Sequence, residues 1–193
     1  MTKVIFDISM SLDGFVTASG VRPDEPMGGG GQRLHEWASG EDDRNRRILQ
    51  DAIAAEGAGI AGRTTYDTSL PWWGADGPTG PARRPLFVVT HAPPSTAPEG
   101  GVYTFVTDGI ESALQQAKAA AGDKDVSVMG GASIGRQYIA AGLVDEIRIH
   151  LVPVLFGNGS RMFELLGSEH IRLETAEVLD TPPATHLRYR IVK

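Results

Sequence analysis

The sequence predicts an α/β fold of three layers, α/β/α, around a mostly parallel eight-stranded sheet with an antiparallel C-terminal hairpin. Three observations predict it. Strand-like runs alternate with helix-periodic runs over most of the chain, and alternation requires parallel crossovers with helices on both sheet faces. The last strand-like runs follow one another without a helix, so the sheet closes on an antiparallel edge. The 193 residues, 41% hydrophobic and 22% charged, suffice for a single domain, 1–193, with a full core, and no repeat or linker interrupts them.

Each element has its own signal. Lys3 to Ser9 is a β-rich run, and the SLDG of Ser11 to Gly14 a turn. Gly20 to Gly40 is rich in Gly and Pro, with Gly28 to Gly31 in a row, and reads as a mobile loop. Glu41 to Ala55 reads as a helix: Ile48, Leu49, Ala52 and Ile53 share one face, and acidic residues open the first turn. Gly57 to Ala61 is a small-residue strand, and Thr64 to Leu70 a short helix stopped by Pro71. Leu86 to Thr90 and Val102 to Val106 are strands. Asp108, with Glu111 three residues on, forms a capping box for a helix that runs to Ala121 and ends at Gly122. Val126 to Met129 is a strand, Ile134 to Ala141 a helix stopped by Gly142, and Asp145 to Leu155 a long strand. Leu173 to Leu179 and His186 to Val192 make the hairpin around Pro182-Pro183, for a total of eight strands and four helices.

Composition narrows the function. A net charge of −6, with no basic cluster beyond Arg44 to Arg47, argues against a nucleic-acid partner. The absence of cysteine excludes disulfides, thiolate zinc and cysteine nucleophiles, and fits a reducing cytoplasm. The N-terminal MTKVIFDISM reads as a strand rather than a signal peptide, and the apolar run Leu151 to Phe156 is too short to span a membrane. No metal-ligand pattern stands out, and none is expected.

In a mostly parallel sheet, ligands sit at the carboxyl ends of the strands. The most informative corner there is VSVMGGASIG, Val126 to Gly135. Gly131 to Gly135 spells G-x-S-x-G, the nucleophile elbow of serine hydrolases. Asp180 and His186 follow Ser133 in the required order, but they flank one hairpin turn, and no HGGG-type oxyanion segment precedes the elbow. The other reading is a glycine turn, Gly130-Gly131, that lays a helix start against an anion. Gly62-Arg63-Thr64-Thr65 is a second strand-to-helix corner with phosphate-binding groups, and Thr90-His91 ends a third strand. Three anion-compatible corners on one edge suit a dinucleotide, although no G-x-G-x-x-G occurs.

These motifs carry a resemblance. The first strand running into SLDG, AGRTTYD at Ala61 to Asp67, LFVVTH at Leu86 to His91 and VMGGASIGRQYI at Val128 to Ile139 together resemble the dihydrofolate reductase fold. LVDEIRIHLVPVLFGNGSRMFE, Leu143 to Glu164, is similar to the reductase domain of bacterial riboflavin biosynthesis. The resemblance implies an NADPH-dependent reductase acting on a small heterocyclic or imine/carbonyl substrate. Gly62, Arg63, Thr64 and Thr65 would hold the pyrophosphate, Val89, Thr90 and His91 would flank the adenine and 2′-phosphate, and Met129, Gly130, Gly131, Ala132, Ser133 and Ile134 would line the nicotinamide half. It also implies a cis Gly130–Gly131 peptide and a homodimer formed through the late strands. Asp13 of SLDG is the polar candidate near the nicotinamide, its alternative being a turn former. Trp37, Tyr66 and Trp72 are candidate walls of the substrate pocket. The riboflavin reductases carry an acid just before the double glycine, where this chain has Met129. A riboflavin-pathway ribosylaminopyrimidine reductase, a serine hydrolase using Ser133 and a non-catalytic nucleotide-binding protein stand as alternatives.

Overall fold

The computed structural model describes residues 2–22, 24–167 and 169–193. The main sheet has eight strands: β1 (Val4–Ser11), β3 (Glu56–Gly62), β4 (Leu86–Val89), β5 (Tyr103–Val106), β6 (Asp125–Met129), β7 (Glu146–Val152), β9 (Leu173–Thr181) and β10 (Ala184–Ile191). Their order is β5-β4-β3-β6-β1-β7-β10-β9. β5 through β7 pair in parallel, and β10 and β9 close the sheet antiparallel, as the alternation predicts.

Alternation along each strand divides the core. Val4, Phe6 and Met10 of β1 join Val126, Val128, Ile147 and Ile149 under α4 (Ile110–Ala121) and α5 (Ala132–Ala140). Residues of opposite parity face α2 (Asp43–Ala55) and α3 (Arg63–Trp73), with Tyr66 of α3 packed on Leu86 and Val88. The result is the three-layer sandwich.

Several local expectations need correction. Pro71 does not stop its helix, since α3 continues to Trp73 and Gly74 N–H donates to the Leu70 carbonyl. Proline gives up its own N–H bond, and packing of Leu70 and Trp73 in the cluster under α3 holds the last turn. The expected capping box is also absent. Gly109, not Asp108, is the N-cap of α4, at φ 93° and ψ −179°, a conformation open to glycine alone. The loop from Gly20 to Gly40 contains a 3₁₀ turn, Gly31–His35, and a short helix, α1 (Glu36–Ser39). Two short strands escaped the sequence reading: β2 (Phe15–Ala18) and β8 (Gly159–Arg161) form their own antiparallel pair. Three- and four-residue strands carry too little periodicity to register.

A cavity of about 20 Å³ lies between the end of α2 and the sheet, bordered by Asp7, Glu56, Ser127 and Arg148. It has room for about one water molecule. Glu56 is 9% exposed and its Oε1 has no partner. Burial, followed by the neighbouring charge of Asp7, pushes the Glu56 carboxyl up from 4.5 to about 7. The folded chain therefore holds this proton at higher pH than the unfolded chain does. The contribution to stability is complete below 4.5 and is lost as pH rises through about 7. Glu56→Gln is expected to gain roughly 1–3 kcal/mol over the wild type at pH 8 and little at pH 4. Urea unfolding at the two pH values measures this, and an advantage independent of pH would refute it.

Candidate functional site

The parallel strands present their carboxyl ends on one edge, and neighbours in the sheet order become neighbours at the site. β3 lies between β4 and β6, which brings Gly62, Val89 and Met129 side by side: Gly62 pairs with Val89, and Ala61 with Met129. Helices α3 and α5 both start here, with Gly62 and Gly131 as N-caps and no side-chain cap on either. Their first-turn N–H groups, those of Ala132, Ser133 and Ile134 among them, point outward at the positive ends of two helix dipoles.

A clasp joins the two helix starts. Gly131 N–H donates to Thr65 Oγ1 at 3.0 Å. Gly130 sits at φ 101°, and a Cβ there would lie 2.6 Å from Thr65 Cγ2 and 2.8 Å from Thr65 Cβ. At Gly131 the corresponding contact is an ordinary 3.8 Å to Thr65 Oγ1. The requirement for glycine within the fold therefore rests on the first of the pair. No cis peptide occurs among the described residues, so the Gly130–Gly131 bond is trans, contrary to the expectation from resemblance.

Arg63 spans the next gap. Its Nε donates to both Asp67 carboxylate oxygens at 2.8 Å, and its Nη1 donates to the Ala92 carbonyl at 2.7 Å and to Thr90 Oγ1 at 3.4 Å. Thr90 is buried and donates to the Ala92 carbonyl at 2.7 Å, fixing the turn after β4. Thr64 and His91 are exposed on the edge. The three corners thus converge, with uncapped N–H groups, a guanidinium and hydroxyls, the donor set that an extended polyanion needs.

The other candidates are placed differently. Asp13 is a fastening residue. Its Oδ1 accepts from Ser11 Oγ at 2.6 Å and from Phe156 N–H at 3.1 Å, and its Oδ2 accepts from Gly157 N–H at 2.7 Å. The Ser11 hydroxyl, together with those N–H groups, holds its carboxyl down at about 2, so at neutral pH it has no proton to give. Tyr66, at 1% exposure, is a core residue packed edge-on against Tyr103 and Phe105, not a pocket wall. Trp72 is 63% exposed at the far end of α3 and walls nothing. Trp37 is 3% exposed, donates from Nε1 to Ser9 Oγ at 2.9 Å and lies on the His150 ring with centroids 4.1 Å apart. Ser133 is exposed on α5, its hydroxyl within reach of Gln137 Nε2 at 3.4 Å. His186, its supposed base, is buried on the α2 side of the sheet, beside Asn45 and His150. The hydrolase triad is not assembled.

Sequence reasoning missed a polar group on that α2 side: Asp7, His150, His186 and Asn45, linked in series. A signal was present. VIFDISM alternates, so Asp7 lies inside a central strand on the face opposite Phe6, where a charge requires a partner.

Fold and edge together define the class: this is a domain of the dihydrofolate reductase/riboflavin reductase superfamily, with the reductase architecture across the described chain. Residues 2–187 match the model of the RibD C-terminal domain, and the chain belongs to that family. A protein of Shewanella sp. PV-4 bearing a riboflavin-biosynthesis name superposes with a TM-score of 0.75 at 21% identity, over 100% of both chains. RibD of Acinetobacter baumannii superposes at 0.66 and 21% identity, over 100% of this chain and 59% of its own. Dihydrofolate reductase of Enterococcus faecalis, solved with NADP(H), superposes at 0.62 and 14% identity, over 99% of this chain and 97% of its own. At those identities the likeness is one of fold. The uncharacterised YyaP of Bacillus subtilis (strain 168) is 39% identical over 59 residues, 31% of this chain and 31% of its own length. Among the described residues no helix is long and apolar enough to cross a membrane.

Proposed function

We propose that the protein is an NADPH-dependent reductase that delivers hydride to a small heterocyclic or imine/carbonyl substrate. The observation that carries this reading is the meeting of two uncapped helix starts, α3 and α5, at the Gly130-Gly131 turn beside Arg63. Those N–H groups and the guanidinium fit a pyrophosphate. Thr90 and His91, one strand further out, fit the adenosine end, and Met129 to Ile134 the nicotinamide end. The bound cofactor supplies the hydride, while the chain binds, orients and excludes water. The riboflavin-pathway reaction is compatible with the family, but Met129 offers no acid before the double glycine. A homodimer belongs to the same proposal: β9 is one of the sheet's two edge strands, and its Leu173 and Val178 are exposed.

Gly131→Ala tests the cradle. Gly131 sits at φ −70° and ψ 165°, which alanine adopts freely, and the added methyl has room in the protein itself. The variant is expected to melt at or slightly above the wild-type temperature without ligand. The methyl projects where the dinucleotide would pass, so NADPH affinity is expected to fall at least about tenfold, roughly 1.4 kcal/mol. Calorimetric titration with NADPH measures it, and equal affinity in the two proteins would sink the cradle.

A further inference from the structure

The strand register places Asp7 beside the proposed nicotinamide site. β1 pairs with β6 through Phe6 and Val128, so the next residues along, Asp7 and Met129, lie level on the α2 and α3 face. Met129 immediately precedes the Gly130-Gly131 turn. The Asp7 side chain is 27% exposed, and its Oδ1 lies 2.9 Å from His150 Nε2.

The hydrogen bonds behind Asp7 constrain its protons. Thr181 Oγ1 donates to the Ala184 carbonyl at 2.8 Å, so it faces His186 Nε2, 3.1 Å away, with a lone pair. Asn45 Oδ1, 2.9 Å from the same nitrogen, accepts as well in this amide orientation, which leaves the buried Asn45 Nδ2 without a partner. His186 Nε2 must therefore carry hydrogen. Burial, with the neighbouring His150 next, drives His186 down from 6.5 to about 4, so at neutral pH it is uncharged and its Nδ1 is bare. His150 Nδ1, 2.7 Å from that bare nitrogen, must then donate. The contact between His150 Nε2 and the Asp7 carboxyl needs one more proton.

We propose that Asp7 meets the substrate and protonates it, with the buried His150–His186 pair behind it holding the required proton in place. The inference rests on the reductase reading above. For a cyclic imine, hydride from NADPH adds to the C=N carbon and the π electrons move to nitrogen. That nitrogen takes the proton shared by Asp7 and His150, giving an amine and NADP⁺. Water then returns a proton through the open side of Asp7. Asp7 and His150 are the acid pair, and His186, Asn45 and Thr181 are positioning residues. The ionisable groups that face this chain are Arg148 on β7, Glu56 on β3, Asp125 on β6, His35 in the 3₁₀ turn, and Asp42 and Arg44 at the start of α2.

Three measurements on the intact protein test the assignment. Long-range ¹H–¹⁵N spectra of histidine-labelled protein at pH 7 are expected to show His150 protonated at Nδ1 and His186 at Nε2 only. Asn45→Asp, which preserves the acceptor, should retain that pattern. The reverse pattern, Nε2–H alone on His150 with Nδ1–H on His186, would mean that Asn45 donates through its amide and that no extra proton exists, which overturns the proposal. Asp7→Asn is expected to bind NADPH within about twofold of wild type. With 2-methyl-1-pyrroline as acceptor, its turnover should drop by about 10²-fold or more, the usual contribution of a positioned acid. Equal turnover by Asp7→Asn also overturns the proposal. A wild type that fails to bind NADPH refutes the reductase reading instead. If NADPH binds but the imine is not reduced, the nitrogen spectra decide.

Discussion

Gly130→Ala is expected to destabilise the protein by about 3 kcal/mol and to abolish the joint start of α3 and α5. Gly130 holds φ 101°, where an alanine costs on the order of 1–3 kcal/mol. The new methyl would also press on Thr65 Cβ at 2.8 Å, an atom that no side-chain rotation removes. Thr65 must then withdraw, and the bond from Gly131 N–H to its Oγ1 breaks, at a further cost of about 1 kcal/mol. Both stability in urea and NADPH affinity should fall in this variant, whereas Gly131→Ala should lose affinity alone. A Gly130→Ala protein as stable as wild type would show that the clasp does not hold the two helices together.

Gly135→Ala carries the second large effect, at a position the elbow motif would assign to a nucleophile's turn. Here Gly135 is the fourth residue of α5, seated against the Phe6 ring of β1. A Cβ would come within 2.5 Å of Phe6 Cζ and 3.0 Å of Met162 Cε, both on fully buried side chains. Overpacking of this kind costs about 1–3 kcal/mol or more, and the better helix propensity of alanine returns up to about 1. A net loss of about 2 kcal/mol is expected by thermal or chemical unfolding. Ser133→Ala, on the exposed side of the same helix, should be close to neutral in stability. Stoichiometric labelling of Ser133 by a fluorophosphonate would contradict the placement of His186 on the other face.

The segment Gly131 to Gly135 shows where a motif stops being informative. The spacing of two glycines and a serine reports a tight strand-to-helix corner, and such a corner does exist. What distinguishes a catalytic elbow from a cofactor cradle is the neighbouring chain: Thr65 from α3 at one glycine and Phe6 from β1 at the other. Those neighbours are 66 and 129 residues away in sequence, and local pattern carries no record of them.

By itself, the sequence determined the layered α/β architecture, its antiparallel close and the strand-end corners at Gly62–Thr65, Thr90 and Gly130–Gly131. Those features are written in short-range chemistry: periodicity of burial, glycine at turns, and hydroxyl or cationic groups at helix starts. Only the tertiary structure decided the strand order that makes the corners adjacent, and with it the roles of individual side chains. Asp13 became a fastener because β8 and the segment before it come back to the SLDG loop. Tyr66 entered the core because β4 and β5 lie beneath α3. Asp7, His150 and His186 became one chain because β1, β7 and β10 are neighbours, with His150 directly opposite both Ser9 and His186. A strand's sequence says which residues share a face, whereas the partner across the ladder is chosen by the global packing of strands far apart in the chain.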